Sequence, residues 1–339
     1  GAASTKESHR DYEPENRYTI APSIKYNFND KTSVTAQYTY QYYKTKLIGS
    51  AYVFAPNDYA DVDRDFTLSD PRLGPAIMKE HYGFINFKHQ LNQHWNLTAQ
   101  LSYINYEHEG SSLWLDSAFG VKENGDLLRN ISIWDAKEEQ KLGQVFINGK
   151  ELTGDVSHTI LGGLDYGNKN YIADWAQAVN IDTEDNPFNI YDPQPAAILP
   201  EFDRSTALQQ RASGIITSNY LSYYIQDQLG FLDDDLRLTL AGRYTEFESS
   251  AYGVPSDDKV FTPRVAVSYS ILDNLIVYGM YDQTFLPEQG TNRIGEPFDP
   301  VTAEDIEGGL KFEFFDGNWN ATATYFDIHK DKFLVADPE

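Results

Sequence analysis

Aspartates at 61, 63 and 65 alternate as they do at the start of a calcium loop. That loop needs Gly at its sixth position and Glu at its twelfth, where this chain has Phe66 and Arg72. An acidic solvated loop is the better reading. The seven histidines (9, 81, 89, 94, 108, 158 and 329) form no metal-ligand spacing. His108 and Ser111 are close in sequence, but nothing supplies the third, orienting group of a hydrolytic triad. No Cys is present, so there is neither a disulfide scaffold nor a thiolate metal site. No G-x-x-x-x-G-K-[ST] loop is present, so energy for any work would come from another polypeptide. What remains is binding chemistry, carried by 24 Tyr, 19 Phe and 5 Trp. Rings in loops make apolar walls with a polar handle.

The net charge of −24 removes nucleic acid as a partner, because phosphates need a basic footprint. No run of about 18 apolar residues forms a transmembrane helix. The start, GAASTKESHR, has no apolar h-region and no Met, so it does not read as a signal peptide. A membrane β-barrel is not excluded, because alternating strands keep average hydrophobicity low.

Alternation is the dominant pattern. Leu236, Leu238, Leu240, Gly242 and Tyr244 share one parity; Arg237, Thr239, Ala241, Arg243 and Thr245 share the other. Similar runs cover about 18–28 and 34–42, 82–91 and 95–107, 140–149 and 154–168, 219–231 and 236–248, 260–271 and 275–285, and 304–315 and 318–329. They read as twelve strands in six hairpins. The turns fall at Asn29-Asp30, 92–94, Gly149-Lys150, 233–235, 272–274 and Asp316-Gly317. Longer segments separate the hairpins: 46–79, 108–139, 170–218, 249–259 and 286–303. Strands of roughly 10 residues, short turns on one rim and long loops on the other predict an all-β, transmembrane antiparallel β-barrel. A soluble β-sandwich also alternates, but its strands are typically about half as long. Aromatics cluster at strand ends, as interfacial girdles do. The greasy parity then faces lipid, and Arg237, Arg243 and Arg264 face the lumen.

Both ends of the chain fall on the long-loop, extracellular side. An internal segment of a larger barrel is expected, with residues 1–339 all in that one barrel domain, because open sheet edges are not tolerated in lipid.

Four stretches carry a family resemblance: YDQTFLPEQG at 281–290, PVTAEDIEGGLK at 300–311, ATYFDIHKDK at 323–332, and YIQDQ at 224–228 followed by Gly242-Arg243-Tyr244. Their order and spacing resemble the barrel core of TonB-dependent siderophore receptors. Residues 17–23, 29–33 and 335–339 are similar to ferrichrome-type hydroxamate receptors in particular. The resemblance implies an outer-membrane receptor, not an enzyme, that imports a ferric siderophore with TonB and proton-gradient energy. It implies a twenty-two-stranded barrel, about three strands before this chain and about seven after it. The plug domain, the TonB contact and the closing strand lie outside these residues. Iron would travel as the chelate, with no cofactor on the protein. The membrane partners would be outer-membrane lipid and lipopolysaccharide. Tyr52 and Phe54, in AYVFAP at 51–56, resemble the ligand-contacting stretch of that family. Trp114 and Trp175 fall where further contacting rings would sit, whereas Trp134, Phe188 and Tyr191 read as loop packing. Some of Arg237, Arg243 and Arg264 would contact the plug; water in the lumen is the other reading. The alternative function is a passive or glycan-specific barrel.

Overall fold

The computed structural model describes residues 1–5, 8–58, 61–315 and 317–335. In chain order the strands begin with β1 (Ala2–Thr5), β2 (Asn16–Ile20), β3 (Ser23–Asn29), β4 (Thr32–Thr45), β5 (Ala76–Gln90) and β6 (Trp95–Glu109). Next come β7 (Ser111–Leu115), β8 (Asp126–Leu127), β9 (Arg129–Ile133), β10 (Asp135–Thr153), β11 (Val156–Asp174), β12 (Ala178–Asn180) and β13 (Phe188–Asn189). One helical turn, α1 (Leu208–Arg211), precedes β14 (Gly214–Phe231), β15 (Leu236–Ala251), β16 (Val254–Leu272), β17 (Leu275–Leu286), β18 (Val301–Phe314) and β19 (Trp319–Asp331). No helix among the described residues is long and apolar enough to cross a membrane.

Fourteen strands form one antiparallel sheet, ordered β1-β2-β4-β5-β6-β10-β11-β14-β15-β16-β17-β18-β19, with β3 also on β4. Each strand lies beside its sequence neighbours, as in a barrel wall cut open. The period-two pattern sets the register. Ala36, Ile85, Leu101, Gly143 and Tyr166 stand directly opposite one another in a row across five strands. Ile85, Leu101 and Tyr166 are exposed, and so are Ile225, Leu240 and Val265 further along. This is the burial rule of a soluble sheet reversed, as a lipid-facing surface requires. Tyr18 stacks on Tyr42 at 5.1 Å; with Tyr103, Tyr166, Tyr223 and Tyr244 they make an outer girdle, and Tyr26, Phe28, Trp95 and Trp319 an inner one.

Four details differ from the sequence reading. The run 18–28 is two strands, because Pro22 has no N–H for the ladder; the chain breaks at Ala21-Pro22 between β2 and β3. The added β1 and this break raise the strand count from twelve to fourteen. The turn between β10 and β11 is Gly154-Asp155 rather than Gly149-Lys150, which sit inside β10 opposite Ile160 and Thr159. Gly149 is small for a packing reason: a Cβ there would meet the Trp95 ring at 2.4 Å. Finally, 249–259 is not a long loop. β15 and β16 run on to a tight turn at Tyr252-Gly253, where φ is 52° and 83°, the double positive φ of a hairpin turn. The acidic turn after β14 stands as read, with Asp235 N–H donating to the Leu232 carbonyl at 3.1 Å. Asp316 of the last turn and residues 336–339 lie outside the described residues.

The buried core is not in the wall. Leu47, Leu68, Leu113, Leu127, Ile131 and Phe188 head a single apolar cluster drawn from three long connections above β4, β6 and β11. We call this assembly the cap.

Candidate ligand-binding site

Two small sheets organise the cap: β12-β9-β7, and β13-β8. The segment after β4 joins them through Leu113 N–H donating to the Ile48 carbonyl at 2.7 Å. Each fully buried aliphatic or Phe side chain stabilises the packed state by about 1.5–3 kcal/mol. A charge sits in the middle. Arg129 is 0% exposed and Asp182 3%. The guanidinium donates to both Asp182 carboxylate oxygens at 2.8 Å and to the Leu68 carbonyl at 2.8 Å. Its carbon lies 4.1 Å over the Phe188 ring. Every strong partner is supplied, which is the condition for burying such a pair. At the cap edge the Arg72 guanidinium donates to both oxygens of Asp70, at 2.9 and 2.8 Å, and the Arg72 and Ala196 N–H groups add two more bonds at 2.8 and 2.7 Å. These contacts, Arg72 first, hold the Asp70 carboxyl at about 2. Phe66 is in the cap core and Arg72 is paired, so 61–72 has no calcium-loop geometry. Among the described residues no group of three or more His, Asp or Glu could hold a metal.

The cap presents its rings in two places. Tyr52 stacks on Trp114 at 5.3 Å and 27°, with Phe54 at 6.4 Å from Tyr52. Tyr52 and Trp114 are exposed, whereas Phe54 packs against the apolar core. Gly49 makes the stack reachable. Its φ is +82°, and a Cβ would meet the Leu113 carbonyl at 2.3 Å and the Trp114 ring at 3.1 Å. Trp114 Nε1 donates to Ser112 Oγ, fixing the indole. The second place holds Trp175, which stacks on Trp134 at 5.5 Å and meets Tyr252 edge-on at 6.2 Å.

Of the four sequence candidates, Tyr52 and Trp114 are therefore brought together, Phe54 flanks them, and Trp175 belongs to another cluster. Phe188 packs as read. Trp134 does more than fill a loop, since it is the other half of the Trp175 stack.

Beneath Tyr52 is a cavity of about 440 Å³ lined by Lys46, Ile48, Met78, Tyr106 and His108. A second hollow, of about 480 Å³, lies on the outward face of the same strands, lined by Lys79, Asp135, Lys137 and Arg211, with His108 in the wall between the two. Sequence reasoning did not select Tyr106 or His108 as ligand contacts. Their signal was parity: both share the lumen face of β6 with Thr98 and Gln100, past the last girdle ring. His108 Nδ1 is 2.7 Å from the Trp134 carbonyl, and Ser111 pairs through its backbone with Ile133; no hydrolytic pair forms. Apolar rings with few polar groups suit a compact, organic-coated ligand.

The three wall arginines lie on the face opposite the girdles. Arg243 donates to Asp165 at 2.7 Å and to Ser222 at 2.8 Å. Tyr220 reaches the same carboxylate at 3.2 Å, and Gln144 donates to the Tyr224 hydroxyl at 2.9 Å. Arg264 pairs with Asp282. Arg237 has no ion-pair partner among the described residues.

An open antiparallel wall, girdled on one face and polar on the other, with an aromatic cap at one rim, sets the frame for comparison. The family model "TonB dependent receptor-like, beta-barrel" matches residues 8–339. The chain belongs to this family. It is 23% identical to the metal-pseudopaline receptor CntO of Pseudomonas aeruginosa, over 99% of this chain and 48% of that protein. It is 23% identical to the ferrichrome outer membrane transporter/phage receptor of Escherichia coli, over 100% of this chain and 48% of that protein. Among solved structures it resembles BauA, the ferric preacinetobactin receptor of Acinetobacter baumannii. There the TM-score is 0.76 at 18% identity, covering 97% of this chain and 49% of that one. The chain thus spans about half the length of the curated relatives it matches. The family is one of receptors, not enzymes.

Proposed function

We propose that the protein containing this chain imports a ferric siderophore of the hydroxamate class across the bacterial outer membrane, which it crosses many times. The cavity under Tyr52, one ring of the Tyr52–Trp114 stack, carries this reading. It has aromatic walls, a few polar groups and, among the described residues, no metal-ligand cluster, which suits a chelate whose iron is already coordinated. The relative named for ferrichrome supports the hydroxamate class, while the one named for metal-pseudopaline widens the range of chelates to be tried.

In this reading Tyr52, Phe54, Trp114 and Trp175 touch cargo, and iron is cargo rather than cofactor. Arg237, Arg243 and Arg264 face a plug domain, and TonB acts through that plug. Lipid and lipopolysaccharide surround the wall. The test uses the full-length receptor: measure affinity for ferrichrome and for other ferric chelates, then for Tyr52→Ala and Phe54→Ala. A loss of about tenfold or more at Tyr52 supports the site. Unchanged binding removes these two residues from it, and no binding of any ferric chelate by the unaltered receptor removes the import reading itself.

A further inference from the structure

His108 stands on the lumen face of β6, five residues past Tyr103 of the outer girdle and above the bilayer. It is 4% exposed and lines both cavities. Its Nδ1 lies 2.7 Å from the Trp134 carbonyl oxygen. A carbonyl only accepts, so Nδ1 carries the proton. No partner reaches Nε2 among the described residues. In the neutral ring Nε2 is a lone pair, a pure acceptor.

The charges around the ring decide whether it stays neutral. They are Lys46 past β4, Lys79 of β5, Glu107 and Glu109 of β6, Asp135 and Lys137 of β10, and Arg211 at α1. Arg204 reaches the same corner through Asp135. Asp135 would stabilise an imidazolium, but Arg204 at 2.9 Å and Arg211 at 2.6 Å already hold it. Glu107 is paired with Lys137 at 3.4 Å. Burial then dominates and holds the ring below its ordinary titration range. The other polar side chains of the cavity under Tyr52 are donors or can donate: Lys46, Thr45 and the Tyr52 and Tyr106 hydroxyls. The cavity has one dedicated side-chain acceptor, and it is His108.

We infer that His108 is a specificity residue for the cargo, its Nε2 accepting a hydrogen bond from an N–H or O–H on the organic shell of the chelate. The inference rests on the siderophore reading above. It selects chelates with a donor on their periphery, as the amides of a peptide-built hydroxamate provide. Protonation would turn the acceptor into a cationic donor facing the cargo's own donor. Affinity therefore holds steady while the ring is neutral and falls only below its lowered range, by up to tenfold per pH unit once the ring is charged.

The experiment is a pH series of ferrichrome and ferrioxamine B affinity, from about pH 8 to about pH 5, for the full-length receptor and for His108→Asn. The Asn amide N–H takes the place of Nδ1 and keeps the bond to Trp134; nothing replaces Nε2. Loss of one acceptor predicts binding about three- to tenfold weaker at neutral pH, and a flattened pH profile, with Trp fluorescence unchanged. His108→Asn that binds both chelates as tightly as the unaltered protein at neutral pH overturns the assignment. If neither chelate nor any other ferric chelate binds the unaltered receptor, both this inference and the import reading fail. Binding without His108 dependence sinks this inference alone.

Discussion

Arg129 is the side chain on which the cap's order most depends. Replacing it with Met removes its four guanidinium bonds, two to Asp182 and one each to the Leu68 and Gln194 carbonyls, and its position over Phe188. Asp182 is then left as a buried carboxylate with only the Arg129 backbone N–H at 2.8 Å. Breaking a buried pair from one side costs about 3–5 kcal/mol. Removing both charges with apolar residues of similar size is often close to neutral. The prediction is therefore a cycle. Arg129→Met alone should raise local opening of the cap by about two to three and a half powers of ten, at 1.4 kcal/mol per tenfold. The double change with Asp182→Leu should restore most of it. The assay is amide hydrogen exchange on the full-length receptor in detergent, comparing β7, β9 and β12 with β14–β16. The wall strands should not change, because the cap core is a separate cluster and local openings follow local packing. Unaltered exchange in Arg129→Met refutes the reasoning. So does a double variant as damaged as the single one, since the cost would then lie in lost packing around the side chain rather than in the stranded charge.

Three further outcomes are expected. Tyr52→Ala and Trp114→Ala should be non-additive in chelate affinity, with a coupling of about 0.5–1.5 kcal/mol from their stack; strict additivity would mean the rings act apart. Gly49→Ala should displace the stack, because φ is +82° and the new Cβ would meet a backbone carbonyl at 2.3 Å. It should cost more than about 2 kcal/mol of cap stability, and an unshifted Trp emission spectrum with normal exchange would contradict it. Asp70 is held at about 2, below its ordinary 3.8. A depressed carboxyl stabilises the folded state above the unfolded value and loses that contribution as pH falls toward the folded one. Acid should therefore loosen the Asp70–Arg72–Ala196 corner between about pH 4 and pH 2, by up to about 2 kcal/mol. Asp70→Asn should remove that window, and an unchanged acid profile in the variant would assign it to other groups.

The wall was legible in the sequence because lipid and lumen impose a strict period of two between the girdles. Leu236, Leu238, Leu240 and Tyr244 against Arg237 and Arg243 show both faces in nine residues. Above the girdle that pressure ends. The outward residues at the start of β10 are Asp135, Lys137 and Glu139, so hydropathy no longer marks the strand and its true length of 19 residues is hidden. Gly149 misled for the opposite reason, since a glycine that admits an indole looks like a turn glycine in one dimension. The cap was not legible at all. Its strands are only 2–5 residues long, and its decisive contact joins residues 53 apart. The types of Tyr52 and Trp114 could be read in advance; that they stack could not.

The cap core bears on affinity as well as stability. Holding a rotamer-rich side chain still on binding costs about 0.5–1.5 kcal/mol. Tyr52 and Trp114 are already placed by Gly49, by Ser112 and by their own stack. Beneath them lies a core whose charged centre is fully paired. The segment 287–300 is built differently. It is tied by Asn292–Glu296 turn bonds, and Ile294 stands 75% exposed with no apolar cluster beneath it. Substitutions under the cap should thus weaken cargo binding chiefly by unfixing rings that never leave the surface. Substitutions in 287–300 would act through direct contacts and these turn bonds, because the apolar core of the cap does not include residues of this segment.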